Sequence, residues 1–182
     1  MLFQVVSFLL DVAIGLLAGA CLLRMYMQVH QTGFAHPLGD LILALTNWLV
    51  LPLRRVVPAV GRIDASSLLG AYLLMLLKVL VLMWVAGGPP LWLLAAAWAL
   101  LGLIRLCLSA LSLLVLASVI VSWIQASYTV RVILERLAAP LLNPVRKLLP
   151  RIGAIDFSPL VVLVLLQVAA ILIAGLMPPM LR

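Results

Sequence analysis

Residues 91–124 form a run of 34 positions with a single charged side chain, Arg105. A soluble fold has nowhere to put such a run, because a helix facing water needs one polar face. As one helix it would be about 51 Å long at about 1.5 Å per residue, against a hydrocarbon core of roughly 30 Å in a bilayer. Residues 106–124 are therefore expected to cross the bilayer. Residues 91–101 are either an outward extension of that helix or a short separate one. Residues 2–28, 66–86 and 158–177 are apolar runs of spanning length as well. Composition agrees: 67% of the 182 residues are hydrophobic, mean hydropathy is +1.34 and 9% are charged, against about a quarter charged in soluble domains. Lipid is the solvent, and a chain crossing it must satisfy its backbone internally. The expected fold class is all-α, a polytopic transmembrane helix bundle of about four spans.

Between the spans lie stretches of different character. Residues 38–51 are apolar but interrupted by Asp40 and Asn47, and Pro52 comes next. This is too short to span. Further on, Val130, Ile133, Leu134, Leu137, Ala138 and Leu141 share one helical face, with Arg131, Glu135 and Arg136 on the other. Both stretches read as amphipathic helices lying in the membrane interface.

The two halves are related. The 15 residues from Pro52 to Ser66, PLRRVVPAVGRIDAS, match those from Pro144 to Ser158, PVRKLLPRIGAIDFS, at an offset of 92 without a gap. Seven of the 15 positions are identical, and the identities fall on Pro, Arg, Gly, Ile, Asp and Ser in a chain dominated by leucine and alanine. Residues 1–90 and 91–182 thus form two tandem repeats, each a span, an interfacial helix, a basic Pro/Gly turn and a second span. Two spans per copy give both the same orientation, so the repeats are parallel.

Each turn residue has an expected role. Pro52 and Pro144 are expected to stop the interfacial helix, since proline lacks the donor and clashes with the preceding turn. Pro58 and Pro150 stiffen the chain after it, and Gly61 and Gly153 permit a sharp bend. Ser66 and Ser158 are candidate caps of the next helix, with Pro159 suited to its first turn. Asp64 and Asp156 precede that helix, where a negative charge meets the positive end of its dipole. Arg54, Arg55, Arg146 and Lys147 are free to meet lipid phosphates or to reach back to these aspartates.

Charge orients the chain. Of twelve basic residues, eight lie in two stretches: Arg54, Arg55 and Arg62, then Arg131, Arg136, Arg146, Lys147 and Arg151. The net charge of +7 is thus the signature of the positive-inside rule and not of direct nucleic-acid binding. Both basic turns are expected in the cytoplasm, with the Gly87-Gly88-Pro89-Pro90 turn and both termini outside. Tyr26, Trp48, Trp123 and Tyr128 then fall near the inner boundary, and Trp84 and Trp92 near the outer one. The stretch ending at Cys21 faintly resembles a lipoprotein processing site, but no basic segment precedes it and Asp11 interrupts it, so it reads as a retained span. Cys21 and Cys107 both lie inside apolar runs and read as small buried side chains. Gly15 and Gly19 form a GxxxG pattern that lets another helix approach closely.

A duplicated Pro-x-Arg-basic-x-x-Pro-x-x-Gly-x-x-Asp-x-Ser turn between apolar spans resembles the YggT family (also called YlmG) of bacterial and plastid membrane proteins. The resemblance includes residues 23–28, LRMYMQ, at the end of the first span and Ser122-Trp123 at the end of the third. One departure is Ser67, which stands in the first copy where the second has Pro159. The resemblance implies a small multispan protein without an established enzymatic activity. It also implies links to osmotic or ion stress, to the neighbourhood of cell-division functions and, in plastids, to cytochrome assembly and nucleoid distribution.

Ionisable groups at membrane depth are costly and are functional candidates by default. Arg24 lies a turn from the cytoplasmic end of its span and is expected to snorkel to the headgroups. Asp11, Lys78 and Arg105 lie deeper. Asp11 is expected to pair with Lys78 or Arg105 inside the bundle, because an unpaired charge there is costly. Gln167 is expected to make an interhelical hydrogen bond.

Two functions fit. The first is a non-enzymatic scaffold or assembly factor of the bacterial inner membrane, whose basic turns bind anionic lipid headgroups and a membrane-protein partner or a second copy. The second is an ion-transport or channel-like component in osmotic adaptation. An enzyme is disfavoured: the two histidines, His30 and His36, share one loop, and no nucleophile–base pair is visible. No cofactor or metal is expected, since the spans hold no histidine to ligate haem.

Overall fold

The computed structural model describes residues 1–58, 61, 63–87, 91–124, 128–148 and 156–178. Every regular element among them is a helix: α1 (Leu2–Val29), α2 (Pro37–Val56), α3 (Ala65–Val85), α4 (Trp92–Trp123), α5 (Tyr128–Leu148) and α6 (Ser158–Gly175). The helices α1, α3, α4 and α6 are long and apolar enough to cross a membrane, giving the all-α, four-span class expected. α4 is continuous over 32 residues, so residues 92–101 extend the third span and are not a separate helix.

The chain divides into two compact units, Met1–Cys107 with the stretch from Ile173 onward, and Leu108–Leu172. In the first, α1, α2 and α3 pack on one another. Its core runs from Ile14, Ala18 and Cys21 on α1 through Val50 on α2 and Ala71, Leu74 and Leu82 on α3 to Ala95 and Ala99 on α4. In the second, Val115, Ala138, Leu142 and Val162 close a smaller core between α4, α5 and α6. The buried positions of α2, Gly39, Ile42, Thr46 and Val50, and of α5, Leu137, Ala138 and Leu142, keep the helical spacing of one face. The polar faces of both helices carry their charges.

α2 starts where local chemistry allows. His36 Nδ1 accepts a hydrogen bond from Gly39 N at 3.0 Å, Pro37 occupies the first turn, and Asp40 adds an acidic group there. Gly39 itself lies so close to the Phe34 carbonyl that a Cβ would strike it.

Pro52 and Pro144 do not stop the helices. α2 runs on to Val56 through Pro52, and α5 to Leu148 through Pro140 and Pro144. All three prolines are exposed. The turn beyond each is held by other means. Leu53 packs beside Gly70 of α3, and Val145 packs on the second unit's core. Pro58 is what ends α2. The residue before a proline is driven out of the helical region, and Val57 is extended at φ −123° and ψ 93°. Gly61 then turns the chain at φ +61°, a left-handed conformation that favours glycine. Arg62, Gly88, Pro89, Pro90, Pro150, Arg151 and Gly153 lie outside the described residues, so the expectations placed on them have no structural counterpart.

Candidate functional site

The first elbow, between α2 and α3, is built around one carboxylate. Asp64 is fully buried and is the N-cap of α3. Its Oδ2 accepts from Arg54 Nη2 at 2.7 Å and from Ser67 Oγ at 2.8 Å. Its Oδ1 accepts from Ser66 Oγ at 2.5 Å and, weakly, from Ser67 N at 3.4 Å. The cap is thus the aspartate, and Ser66, expected as the cap, is its hydrogen-bond donor. A carboxylate carries a full charge to the positive end of the helix, which a hydroxyl does not. Burial pushes the Asp64 carboxyl up, but the hydrogen bonds from Arg54, Ser66 and Ser67 outweigh it and bring it down from 3.8 to about 2.

A second cation reaches the same carboxylate from α1. Arg24 Nε lies 3.6 Å from Asp64 Oδ2, while Arg24 Nη1 donates to Thr46 Oγ1 at 2.7 Å and to Asn47 Oδ1 at 2.9 Å. Thr46 Oγ1 in turn donates a hydrogen bond to the Ile42 carbonyl at 2.7 Å. Arg24 is 3% exposed, so it does not snorkel to the headgroups. The polar groups of α2, so placed that they interrupt its apolar face, provide its ligands. Gln28 Oε1 completes the cluster 3.4 Å from Arg54 Nη2. The sequence signal for this site was present in the polar pair Thr46-Asn47 on an otherwise apolar helix, together with a span-embedded arginine.

The second elbow repeats the ion pair and the capping bond, without a counterpart of Arg24 among the described residues. Arg146 Nε donates to Asp156 Oδ2 at 2.8 Å, and Ser158 N donates to Asp156 Oδ1 at 2.9 Å. The pair is ten residues apart in both copies, as the gapless offset requires. Here too the aspartate takes the capping bond expected of Ser158. Slight burial raises the Asp156 carboxyl, and the bonds from Ser158 and Arg146 carry it below its ordinary value. Asp156 is half open, its side chain 28% exposed against 0% for Asp64. On the polar face of α5, Arg131 Nε pairs with Glu135 Oε1 at 2.8 Å.

In each turn the first basic residue reaches back to its aspartate, and the second, Arg55 or Lys147, is exposed and has no ion-pair partner among the described residues. Deeper along the spans, Lys78 Nζ of α3 forms an ion pair with Asp11 Oδ1 of α1. Arg105 takes no part in that pair and has no ion-pair partner among the described residues. Among the described residues, no three His, Cys, Asp or Glu side chains gather as a metal site requires.

Comparison with known proteins gives a consistent result. The family model described as CCB3/YggT matches residues 3–85 and again 97–177. The chain is 41% identical over 163 residues to the uncharacterised protein YggT of Escherichia coli, covering 89% of this chain and 85% of that one. It is 33% identical over 177 residues to an uncharacterised Vibrio alginolyticus protein described by its place in the proC 3′ region, covering 95% of both. An uncharacterised Pseudomonas aeruginosa protein is 34% identical over 158 residues, covering 84% of this chain and 79% of that one. No solved structure matches the chain. With the same unit matched twice in tandem and the duplicated Arg–Asp elbow standing in both matched segments, the chain belongs to the CCB3/YggT family.

Proposed function

We propose that this chain is a non-enzymatic scaffold of the bacterial inner membrane, whose two elbows lie in the cytoplasm and hold anionic lipid and a membrane-protein partner. The observation that carries the reading is the division of labour within each basic pair. Arg54 and Arg146 are consumed by Asp64 and Asp156, which fixes the elbow. Arg55 and Lys147 stay exposed at the same position of each copy, where a fixed cation meets headgroups or an acidic partner surface. Eight basic residues in two connections support the cytoplasmic side.

Photo-crosslinking in intact membranes from positions beside Arg55 and Lys147 tests this. The expected result is a reproducible protein partner that is lost from an Arg55→Gln/Lys147→Gln variant with an unchanged thermal midpoint. No partner from either elbow, or the same capture from the neutralised variant, would contradict it.

The ion pair of Asp11 and Lys78 within the spans favours a second reading, an ion-transport component working as an oligomer, since ionisable groups at that depth line ion paths. Ion flux into proteoliposomes above that of empty vesicles, abolished in Asp11→Asn, would favour it over the scaffold. Flux equal to empty vesicles for several cations would dismiss it.

A further inference from the structure

The two elbows share their central ion pair and differ in what stands beside it. Counted back from the ends of α1 at Val29 and α4 at Trp123, Arg24 and Gln28 correspond to Ser118 and Ser122. The offset there is 94 and not 92, because residues 30–36 join α1 to α2 while the shorter 124–127 joins α4 to α5. At the elbow offset, Thr46 and Asn47 correspond to Ala138 and Ala139. Arg24 itself and the two side chains that accept from it, Thr46 and Asn47, are therefore replaced in the second unit by small side chains, while the aspartate is kept.

The second unit has a cavity beside its ion pair. It measures about 910 Å³, and Ser118, Ser122, Glu135, Arg146 and Asp156 all line it, together with Leu160 on α6. That volume lies in the range of sites that take small molecules or a lipid headgroup with part of its chain. Ser118 and Ser122 turn their hydroxyls back to the Val115 and Val119 carbonyls at 2.7 and 2.6 Å, which keeps them out of the space. In the first unit two cations, Arg24 and Arg54, face one carboxylate. In the second, Arg146 alone pairs with Asp156, and Glu135, which lines the same cavity, pairs with Arg131. Asp156 thus has one cation beside it where Asp64 has two, and the cavity lies next to it on the side of Ser118, the counterpart of Arg24.

We infer that this cavity binds the headgroup of an aminophospholipid of the ethanolamine type. The inference deepens the proposed function and rests on its reading of the elbow as a membrane-surface element. The primary ammonium takes the place that the Arg24 guanidinium fills in the first unit and donates to Asp156. The phosphate meets Arg146. An acyl chain follows the apolar wall that Leu160, Leu163 and Val164 of α6 form along a membrane-spanning helix. A trimethylated choline headgroup of the same charge has no N–H to donate, and a glycerol headgroup has no cation, so neither reproduces the charge-assisted bond to the aspartate.

Native mass spectrometry of the full chain, released from micelles holding equimolar phosphatidylethanolamine, phosphatidylcholine and phosphatidylglycerol, reads the site directly. The expected result is one retained phosphatidylethanolamine, favoured about tenfold over each of the others, the worth of one charge-assisted hydrogen bond. Ser118→Arg, which supplies the guanidinium seen in the first unit, is expected to abolish the preference, as is Asp156→Asn. Should Ser118→Arg fail to fold, Ser122→Gln, which installs the counterpart of Gln28, reports in its place. Free phosphoethanolamine at the lipid's concentration is expected to leave the lipid bound, because it lacks the acyl chain, and its displacing the lipid would overturn the lipid assignment. Equal retention of the three lipids by the unaltered chain, or a preference unchanged in the folded variants, would overturn the site. Loss of the lipid preference with partner capture at Arg55 and Lys147 intact would leave the scaffold reading standing, and the reverse result would remove the scaffold and keep the site.

Discussion

Asp64 is the residue on which the first unit turns. It is buried without exposed area, caps a membrane-spanning helix, and neutralises Arg54 while facing Arg24. Removing one partner of a buried pair leaves the other charge uncompensated, at about 3–5 kcal/mol. Asp64→Asn is therefore expected to lower stability by about that much in detergent unfolding. Asp156→Asn, at a half-open pair, is expected to cost no more than about 1 kcal/mol. Equal costs would show that the two elbows are energetically alike and contradict the asymmetry between them. The sign of the acid response comes from the same carboxyl. Its pKa is about 2 in the folded chain against about 3.9 unfolded, so its contribution is complete above about pH 4 and fades as the pH falls toward 2. A thermal midpoint measured across that window is expected to fall in the unaltered chain and to fall less in Asp64→Asn. The sequence pointed to Asp64 and Asp156 by repetition alone, which locates a residue without saying what it touches. It also placed Arg24 in the headgroups, because its ligands come from another helix 22 and 23 residues away.

At the scale of elements, the intrahelical prolines separate what periodicity reveals from what packing decides. The helical faces of α2 and α5 were legible in the spacing of their apolar residues, and their ends were not. Proline's cost is a local quantity, but Leu53 against Gly70 and Arg54 against Asp64 carry α2 past Pro52, and these contacts span the elbow. Since Pro52 sits inside a helix at a cost of up to about 3 kcal/mol, Pro52→Ala is expected to raise the thermal midpoint. A lowered midpoint would mean that the proline shapes the helix in a way the packing needs. α1 and α3 offer a second test at this scale. Asp11→Asn and Lys78→Met each break their ion pair, and the exchange Asp11→Lys with Lys78→Asp is expected to recover most of the lost stability in a double-mutant comparison. No recovery would assign the two charges separate roles. The choice of Lys78 over Arg105 was not legible in sequence, since depth along a span does not say which neighbour a side chain faces.

At the scale of the whole molecule, the four spans and the duplication were plain in the chain, because a run without charges has one physical solution in a bilayer. The structural difference between the two elbows was not. The matched turn masks it, and it appears once α1 and α4 are aligned by their ends, where Arg24 meets Ser118. Duplication here preserved the ion pair that sets the elbow and released the side chains around it. In the proposed topology both elbows face the cytoplasm, so that one surface of the membrane sees two related basic turns. Cysteine accessibility tests it in a background carrying Cys21→Ala and Cys107→Ala, with single Arg55→Cys, Lys147→Cys and Gly87→Cys variants exposed to a membrane-impermeant maleimide. Gly87→Cys is expected to be labelled from the outside of intact spheroplasts, and Arg55→Cys and Lys147→Cys only after the membrane is opened. Labelling of Arg55→Cys and Lys147→Cys from opposite sides would contradict it.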